Sequence, residues 1–348
     1  MEKTKKMLRN LVLFILLIVL TFSIVFKEQN IDEIFSVLNT VKKEYVALAI
    51  ICMCLYIVLD AVNIGRVLKN LKEKNNFIKN VKYSLIGFFF SAITPAASGG
   101  QPMQVYYMKK DQISVAHSTL ALLVNLCCIQ IVTISLGLFS MIFNYQYLST
   151  PLILLFVLGI LLNLSALTLL LISILSRRAT KWLIKKVVKI MKFFKVKNVE
   201  EKQKKIECEL KTYQVGARYI RANRLLVIKN LLVTYVQYIF YYGISYCVYK
   251  SFGLSEHNIF EIITMQSVLY GTVSGIPSPG AVGVSEGGYM AIFGKVYSEG
   301  MLGSAMLLTR GINFYLFVII SAVVVIINTI RDKKELNNVE EELKKVDL

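Results

Sequence analysis

Two stretches rich in proline and glycine, each set inside apolar sequence, hold the residue types most able to do chemistry in this 348-residue chain. The first reads Pro95-Ala-Ala-Ser-Gly-Gly-Gln-Pro102, and the second Pro277-Ser-Pro-Gly-Ala-Val-Gly-Val-Ser-Glu-Gly-Gly288. Proline lacks a backbone donor and glycine is a poor helix former, so Pro95, Pro102, Pro277 and Pro279 predict unwound backbone. Free N–H groups at the start of a helix that follows such a break favour an anion. Gly99 and Gly100 permit close approach to the backbone, and Gln101 and Gln104 add amide hydrogen bonds. In the second stretch Gly280 and Gly283 serve the turn, followed by Ser285 and Glu286. This set suits a phosphate headgroup, or one bearing an additional ammonium for which Glu286 is the counter-charge.

A few charges stand alone in apolar sequence, where ionisable groups are costly and mark function. Arg310, with Asn313 one turn beyond it, lies too deep in the last apolar run to reach water and needs a partner. Glu286 is the first candidate and Asp60 the second; an Arg310–Glu286 pair also has a purely structural reading. Arg66 lies near the end of its run, where a long side chain can snorkel to the interface. No catalytic residue is expected: there is no serine in a strand–turn–helix context, no His–carboxylate motif and no Gly-Lys-Ser phosphate loop. The two histidines and six cysteines lack metal-ligand spacing, so no metal and no cofactor is expected, and His117 reads as a packing residue.

The elements that must position these groups follow from composition. Apolar residues make up 55% of the chain and mean hydropathy is +0.58. They occur in runs of about 20, the length a helix needs to cross a bilayer. A soluble enzyme, a secreted disulfide scaffold and a disordered chain are excluded. The fold expected is an all-α polytopic membrane protein with about six full spans, at 8–26, 45–68, 113–143, 151–176, 225–250 and 301–330. The broken stretches lie within 81–108 and 259–295, where each half is too short to cross, so both read as re-entrant hairpins. The simpler alternative makes one half of each a full span.

Charge gives direction. Residues 177–224 hold sixteen lysines and arginines against four glutamates, a net +12 of the chain's +18. Between spans, such a block marks the cytoplasmic side and favours anionic lipid over nucleic acid. Within it, Trp182, Leu183, Val187, Ile190, Met191 and Phe194 recur at helical spacing between lysines, predicting a helix in the headgroup plane. The N-terminus and the charged tail 331–348 are then cytoplasmic, and the hairpins enter from opposite faces. Span, broken hairpin, span occurs twice, the second time inverted; inverted repeats with broken helices build many transporters, with the site where the breaks meet.

The segments Thr94-Pro-Ala-Ala-Ser-Gly-Gly-Gln-Pro102 and Pro277-Ser-Pro-Gly-Ala-Val-Gly-Val-Ser-Glu286 resemble the paired signatures of the lysylphosphatidylglycerol synthase transmembrane-region family, the flippase module of the multiple peptide resistance factor. The resemblance extends over nearly the whole chain, including an arginine like Arg310. Ala281 stands where the family commonly has a second glycine, and Val124-Asn125 occupies a region where many relatives carry Glu-Arg. The resemblance implies a cell-membrane protein that binds an anionic or aminoacylated phospholipid, such as lysylphosphatidylglycerol, and moves it between leaflets. That activity contributes to resistance against cationic antimicrobial peptides. In full-length relatives a separate soluble aminoacyltransferase domain takes lysine from lysyl-tRNA, so such a domain is an implied partner; the short tail 331–348 predicts none here. Two other readings stand beside this one. The chain is itself a phosphatidylglycerol lysyltransferase, the one case that involves a nucleic acid, or it is a lipid-binding scaffold that does not transport.

Overall fold

The computed structural model describes residue 36 and residues 39–94, 97–145, 148–176 and 199–346. The predicted span 8–26, the predicted surface helix 181–197 and Pro95 lie outside the described residues. Everything regular among the described residues is helical: α1 (Lys43–Asn70), α2 (Phe77–Ala92), α3 (Gly100–Lys110), α4 (Val115–Asn144), α5 (Thr150–Leu175), α6 (Val199–Ala222), α7 (Arg224–Ser251), α8 (Ile259–Val273), α9 (Val284–Phe293), α10 (Glu299–Arg310) and α11 (Leu316–Val346). Five stretches are long and apolar enough to cross a membrane: Lys43–Asn70, Val115–Asn144, Thr150–Ile174, Arg224–Ser251 and Gly300–Arg331. The protein is a polytopic membrane protein of all-α class.

The last of these is not one regular helix. A five-residue π turn, Gly311–Tyr315, joins α10 to α11. Such turns shift side chains around the axis and recur at functional sites. Here the turn follows Arg310 directly.

The two broken stretches form helix–break–helix hairpins, α2 with α3 and α8 with α9, and no arm exceeds 16 residues. Both breaks are narrower at their far ends than the sequence suggests. Gly100, Gln101 and Pro102 already belong to the first turn of α3, where a proline forfeits no intrahelical bond. Likewise Val284–Gly288 is helical, because Gly283 (φ 87°) turns the chain and its N–H donates to Glu286 Oε2 at 2.8 Å.

Packing is reciprocal between the halves. Helix α1 lies against α7, each at the start of its half, α2 packs on α11 and α8 on α4. That exchange is what a two-fold relation between span–hairpin–span units produces. Polar side chains fasten the α1–α7 seam: Asn63 Nδ2 donates to Thr234 Oγ1 at 3.0 Å, and Arg66 donates to Asn230 Oδ1 at 2.8 Å and Asn63 Oδ1 at 3.1 Å. Arg66 is therefore held by amides within the bundle, where the sequence suggested snorkelling. His117 is a hydrogen-bonded residue at the start of α4. Its Nδ1 lies 2.5 Å from Glu73 Oε1, beside Glu209 of α6, which accepts from the Ala116 N–H at 2.9 Å. Two carboxylates thus meet the start of α4, where the helix dipole favours them.

Candidate functional site

Two cavities lie between the hairpins, of about 430 and 290 Å³. Tyr56, Ser91, Gln130, Asn163 and Tyr270 stand in the walls of both, so they are adjoining compartments of one chamber. The charged side chains among its described lining residues are Arg310 in the larger compartment and Asp60 in the smaller.

Arg310 is built in from three sides. Its Nε donates to Glu286 Oε1 at 2.8 Å, and Nη2 donates to the Gly280 carbonyl at 3.2 Å. Tyr315 from the π turn donates to the same Glu286 oxygen at 2.9 Å. The guanidinium carbon sits 4.3 Å from the Phe314 ring centre, a cation–π arrangement. Glu286 is fully buried behind it. Gly280 is needed at this point for two reasons. Its φ of 59° is left-handed, and a Cβ there would lie 2.2 Å from Phe314.

Asp60 presents the opposite case. Ser84 Oγ donates to its Oδ2 at 2.6 Å and Asn125 Nδ2 to its Oδ1 at 2.8 Å, and no cationic side chain among the described residues pairs with it. Glu286, not Asp60, is the partner of Arg310. Tyr56, one turn before Asp60 on α1, joins Tyr238, Tyr241 and Tyr270 in an aromatic wall, with ring centres 4.9 Å (Tyr56–Tyr241) to 6.2 Å (Tyr238–Tyr241) apart.

A third, almost wholly apolar groove of about 490 Å³ runs between α3 and α4. Pro102, Val105, Thr119 and Leu123 line it, and Gln101, Leu122 and Leu126 line both it and the Asp60 compartment. Positions 119, 122, 123 and 126 recur at helical spacing, so the groove follows one face of α4.

The structure places the sequence-predicted residues unevenly. Gln101, Gln104, Gly280, Ser285, Arg310, Asn313 and Asp60 line the chamber. Gln104 is also structural: its Nε2 donates to the Tyr83 carbonyl at 3.1 Å, and its side chain fills the space above Gly87. Gly99 and Gly100 face neither cavity. A Cβ on Gly100 would lie 2.1 Å from Ser91 Oγ and 2.9 Å from the Gly87 carbonyl, so it serves the close packing of α3 on α2. Pro277 is exposed and Pro279 opens a short turn, Pro279–Ala281. Sequence reasoning missed Asn125, Gln130, Asn163 and the tyrosine wall. Asn163, a single amide in the otherwise apolar run 151–164, carried a signal: a polar group in a span that needs a partner, which it finds in Ser274 Oγ at 3.0 Å.

Among the described residues, no group of three or more histidine, cysteine, aspartate or glutamate residues is placed to hold a metal ion. No curated protein matches the chain. A family model described as the lysylphosphatidylglycerol synthase TM region matches residues 8–321. Hairpins, chamber and Arg310 all fall inside that match, and the chain belongs to the lysylphosphatidylglycerol synthase transmembrane-region family.

Proposed function

We propose that this protein binds the headgroup of an anionic or aminoacylated phospholipid, such as lysylphosphatidylglycerol, between its two hairpins and moves it from one leaflet to the other. The observation that carries this reading is the placement of an apolar groove directly against a polar chamber, with Gln101, Leu122 and Leu126 in the walls of both. A soluble solute needs only the chamber. An amphiphile needs both, because its headgroup must stay solvated by protein dipoles while its tails stay in hydrocarbon. Arg310 is the group for the phosphate end, since a guanidinium presents five donors and Glu286 and Gly280 engage two of them in the bonds above. In this reading the hairpins enter from opposite leaflets of the cell membrane, both termini are cytoplasmic, and an amine-bearing product in the outer leaflet repels cationic antimicrobial peptides. A separate soluble aminoacyltransferase supplies the lipid.

Reconstitution into liposomes with leaflet-resolved detection of lysylphosphatidylglycerol and phosphatidylglycerol tests the proposal. Wild type should equilibrate the leaflets at least tenfold faster than empty liposomes, and Arg310→Lys should lose most of that rate while still folding. Background rates for wild type would leave a lipid-binding scaffold. Transfer of lysine from lysyl-tRNA by the purified chain would establish the lysyltransferase reading instead.

A further inference from the structure

The chamber's two ends differ in what they lack. Arg310 has its carboxylate, Glu286, at 2.8 Å, so that end is already neutral as a pair. Asp60 has neutral donors only, from Ser84 and Asn125, so in its ionised form it has no counter-charge among the described residues. A carboxylate held this way in a low-dielectric interior is stabilised by any cation that reaches it.

A second, independent observation points the same way. Among the described lining residues of the Asp60 compartment, the buried polar atoms without a hydrogen-bond partner are two amide oxygens, Asn125 Oδ1 and Gln130 Oε1. Asn125 is itself 5% exposed. Unpartnered amide oxygens accept and do not donate, so the vacant hydrogen-bonding capacity is chiefly for a donor-rich group. A phosphate, which only accepts, does not satisfy them. A primary ammonium, with three donors and no acceptor, does.

The surface around Asp60 agrees with that chemistry. Tyr56, Tyr238 and Tyr270 line the same compartment, and tyrosine faces attract a desolvated cation. The Tyr238 and Tyr270 hydroxyls lie 3.1 Å apart, so those two engage each other.

We propose that Asp60, with the Asn125 amide oxygen and the Tyr56–Tyr238–Tyr270 wall, forms a subsite for a primary ammonium carried on the lipid headgroup, opposite the phosphate end at Arg310. The subsite selects amine-bearing phospholipids over phosphatidylglycerol. This inference rests on the lipid-binding reading above for the identity of its ligand and adds the group that discriminates between headgroups. Ammonium can also come from free amines in solution, and only a lipid brings tails to the groove beside Gln101.

Binding to the purified full chain in nanodiscs, measured separately for lysylphosphatidylglycerol, phosphatidylethanolamine and phosphatidylglycerol, tests it. Wild type should bind both amine-bearing lipids about tenfold or more tightly than phosphatidylglycerol, the scale of a charge-assisted hydrogen bond. Asp60→Asn keeps the shape and removes the charge. It should bring the ratio close to one, and an unchanged melting temperature in detergent certifies the fold. Asn125→Lys, which supplies an ammonium from the protein, should likewise erase the preference. An unaltered preference in Asp60→Asn, or no preference in wild type, overturns the subsite. Displacement of lysylphosphatidylglycerol by millimolar ethanolamine as effectively as by phosphatidylethanolamine would overturn its assignment to a lipid. Leaflet transport on the same preparations is a separate readout: selectivity that stands without transport refutes translocation and leaves the ammonium subsite intact.

Discussion

The two hairpins occupy reciprocal positions, yet they solve the problem of polar groups in an apolar bundle in opposite ways. The second is ionic and closed. Arg310 and Glu286 pair inside it, Tyr315 adds a third bond, and Tyr289 stacks on Phe293 with ring centres 4.3 Å apart. The first is neutral and open. Gln104 ties α3 to α2 through the Tyr83 carbonyl, Gly87 and Gly100 bring the helices into close contact, and the α3–α4 side leads into the apolar groove. The charged group lining the chamber beside it, Asp60, comes from α1 and has no cation paired with it among the described residues. One architecture can therefore keep a pre-neutralised charge at one end and a charge awaiting its partner at the other.

The largest expected effect tests that contrast directly. Removing one member of a buried ion pair leaves the other charge uncompensated and costs about 3–5 kcal/mol. Glu286→Gln should therefore destabilise the protein by that amount, read as thermal unfolding in detergent. Asp60→Asn removes a charge that has no partner, so its effect on stability should stay within about 1 kcal/mol. Equal losses would mean that Asp60 has a structural counter-charge and that the hairpins do not differ as described.

Close packing gives the next effect. In Gly100→Ala the new Cβ meets the Gly87 carbonyl at 2.9 Å, a backbone atom that cannot rotate away. Prising α3 from α2 should cost about 1–3 kcal/mol, as overpacking does. Gly280→Ala meets a Phe314 ring carbon at 2.2 Å and adds the strain of a left-handed φ of 59°. Because Phe314 also stacks on the guanidinium, Gly280→Ala should lower lipid transport more than Gly100→Ala at similar stability.

A smaller effect lies at the mouth of the first hairpin. Burial pushes the Asp111 carboxyl up, but hydrogen bonds from Lys82 (2.6 Å) and Tyr83 (2.5 Å), with the charges of Lys82 and Lys79, outweigh it and hold the carboxyl below its usual value. A depressed folded-state pKa contributes stability that is complete above the unfolded value, about 4, and is lost as pH falls through the folded one. Stability of the wild type should thus fall below about pH 4 more steeply than that of Asp111→Asn, with a difference near 1 kcal/mol at neutral pH.

Much of this was legible in the sequence because membrane sequences are written under strict constraint. The apolar runs, the two Pro/Gly breaks and the isolated Arg310 each announce themselves, and hydrocarbon leaves an unpaired guanidinium few options. The chamber wall was less legible. Tyr56, Asn125, Gln130 and Tyr270 lie on three different helices, and only the crossing of those helices brings them to one cavity. Glycines carried a double meaning. Gly280 shapes the site, whereas Gly100 shapes the helix contact behind it, and composition alone cannot separate an open approach from a filled one.

Backbone strain separates the hairpins most finely. Ala97 in the first break and Ala281 in the second both have left-handed φ, 52° and 53°. For an alanine that conformation costs roughly 1–2 kcal/mol, while glycine accepts it at the expense of about 0.5–1 kcal/mol of extra freedom in the unfolded chain. Both Ala97→Gly and Ala281→Gly should therefore raise stability by about 0.5–1 kcal/mol, a gain of a degree or two in melting temperature. Their transport phenotypes should differ. Ala281 adjoins Gly280, whose carbonyl holds Arg310, so relaxing it loosens the guanidinium and should slow transport of every lipid. Ala97 touches both compartments of the chamber but none of the hydrogen bonds to Asp60 or Arg310, and relaxing it should leave headgroup preference where it was. A change in preference from Ala97→Gly alone would show that the first hairpin, and not Asp60, reads the headgroup.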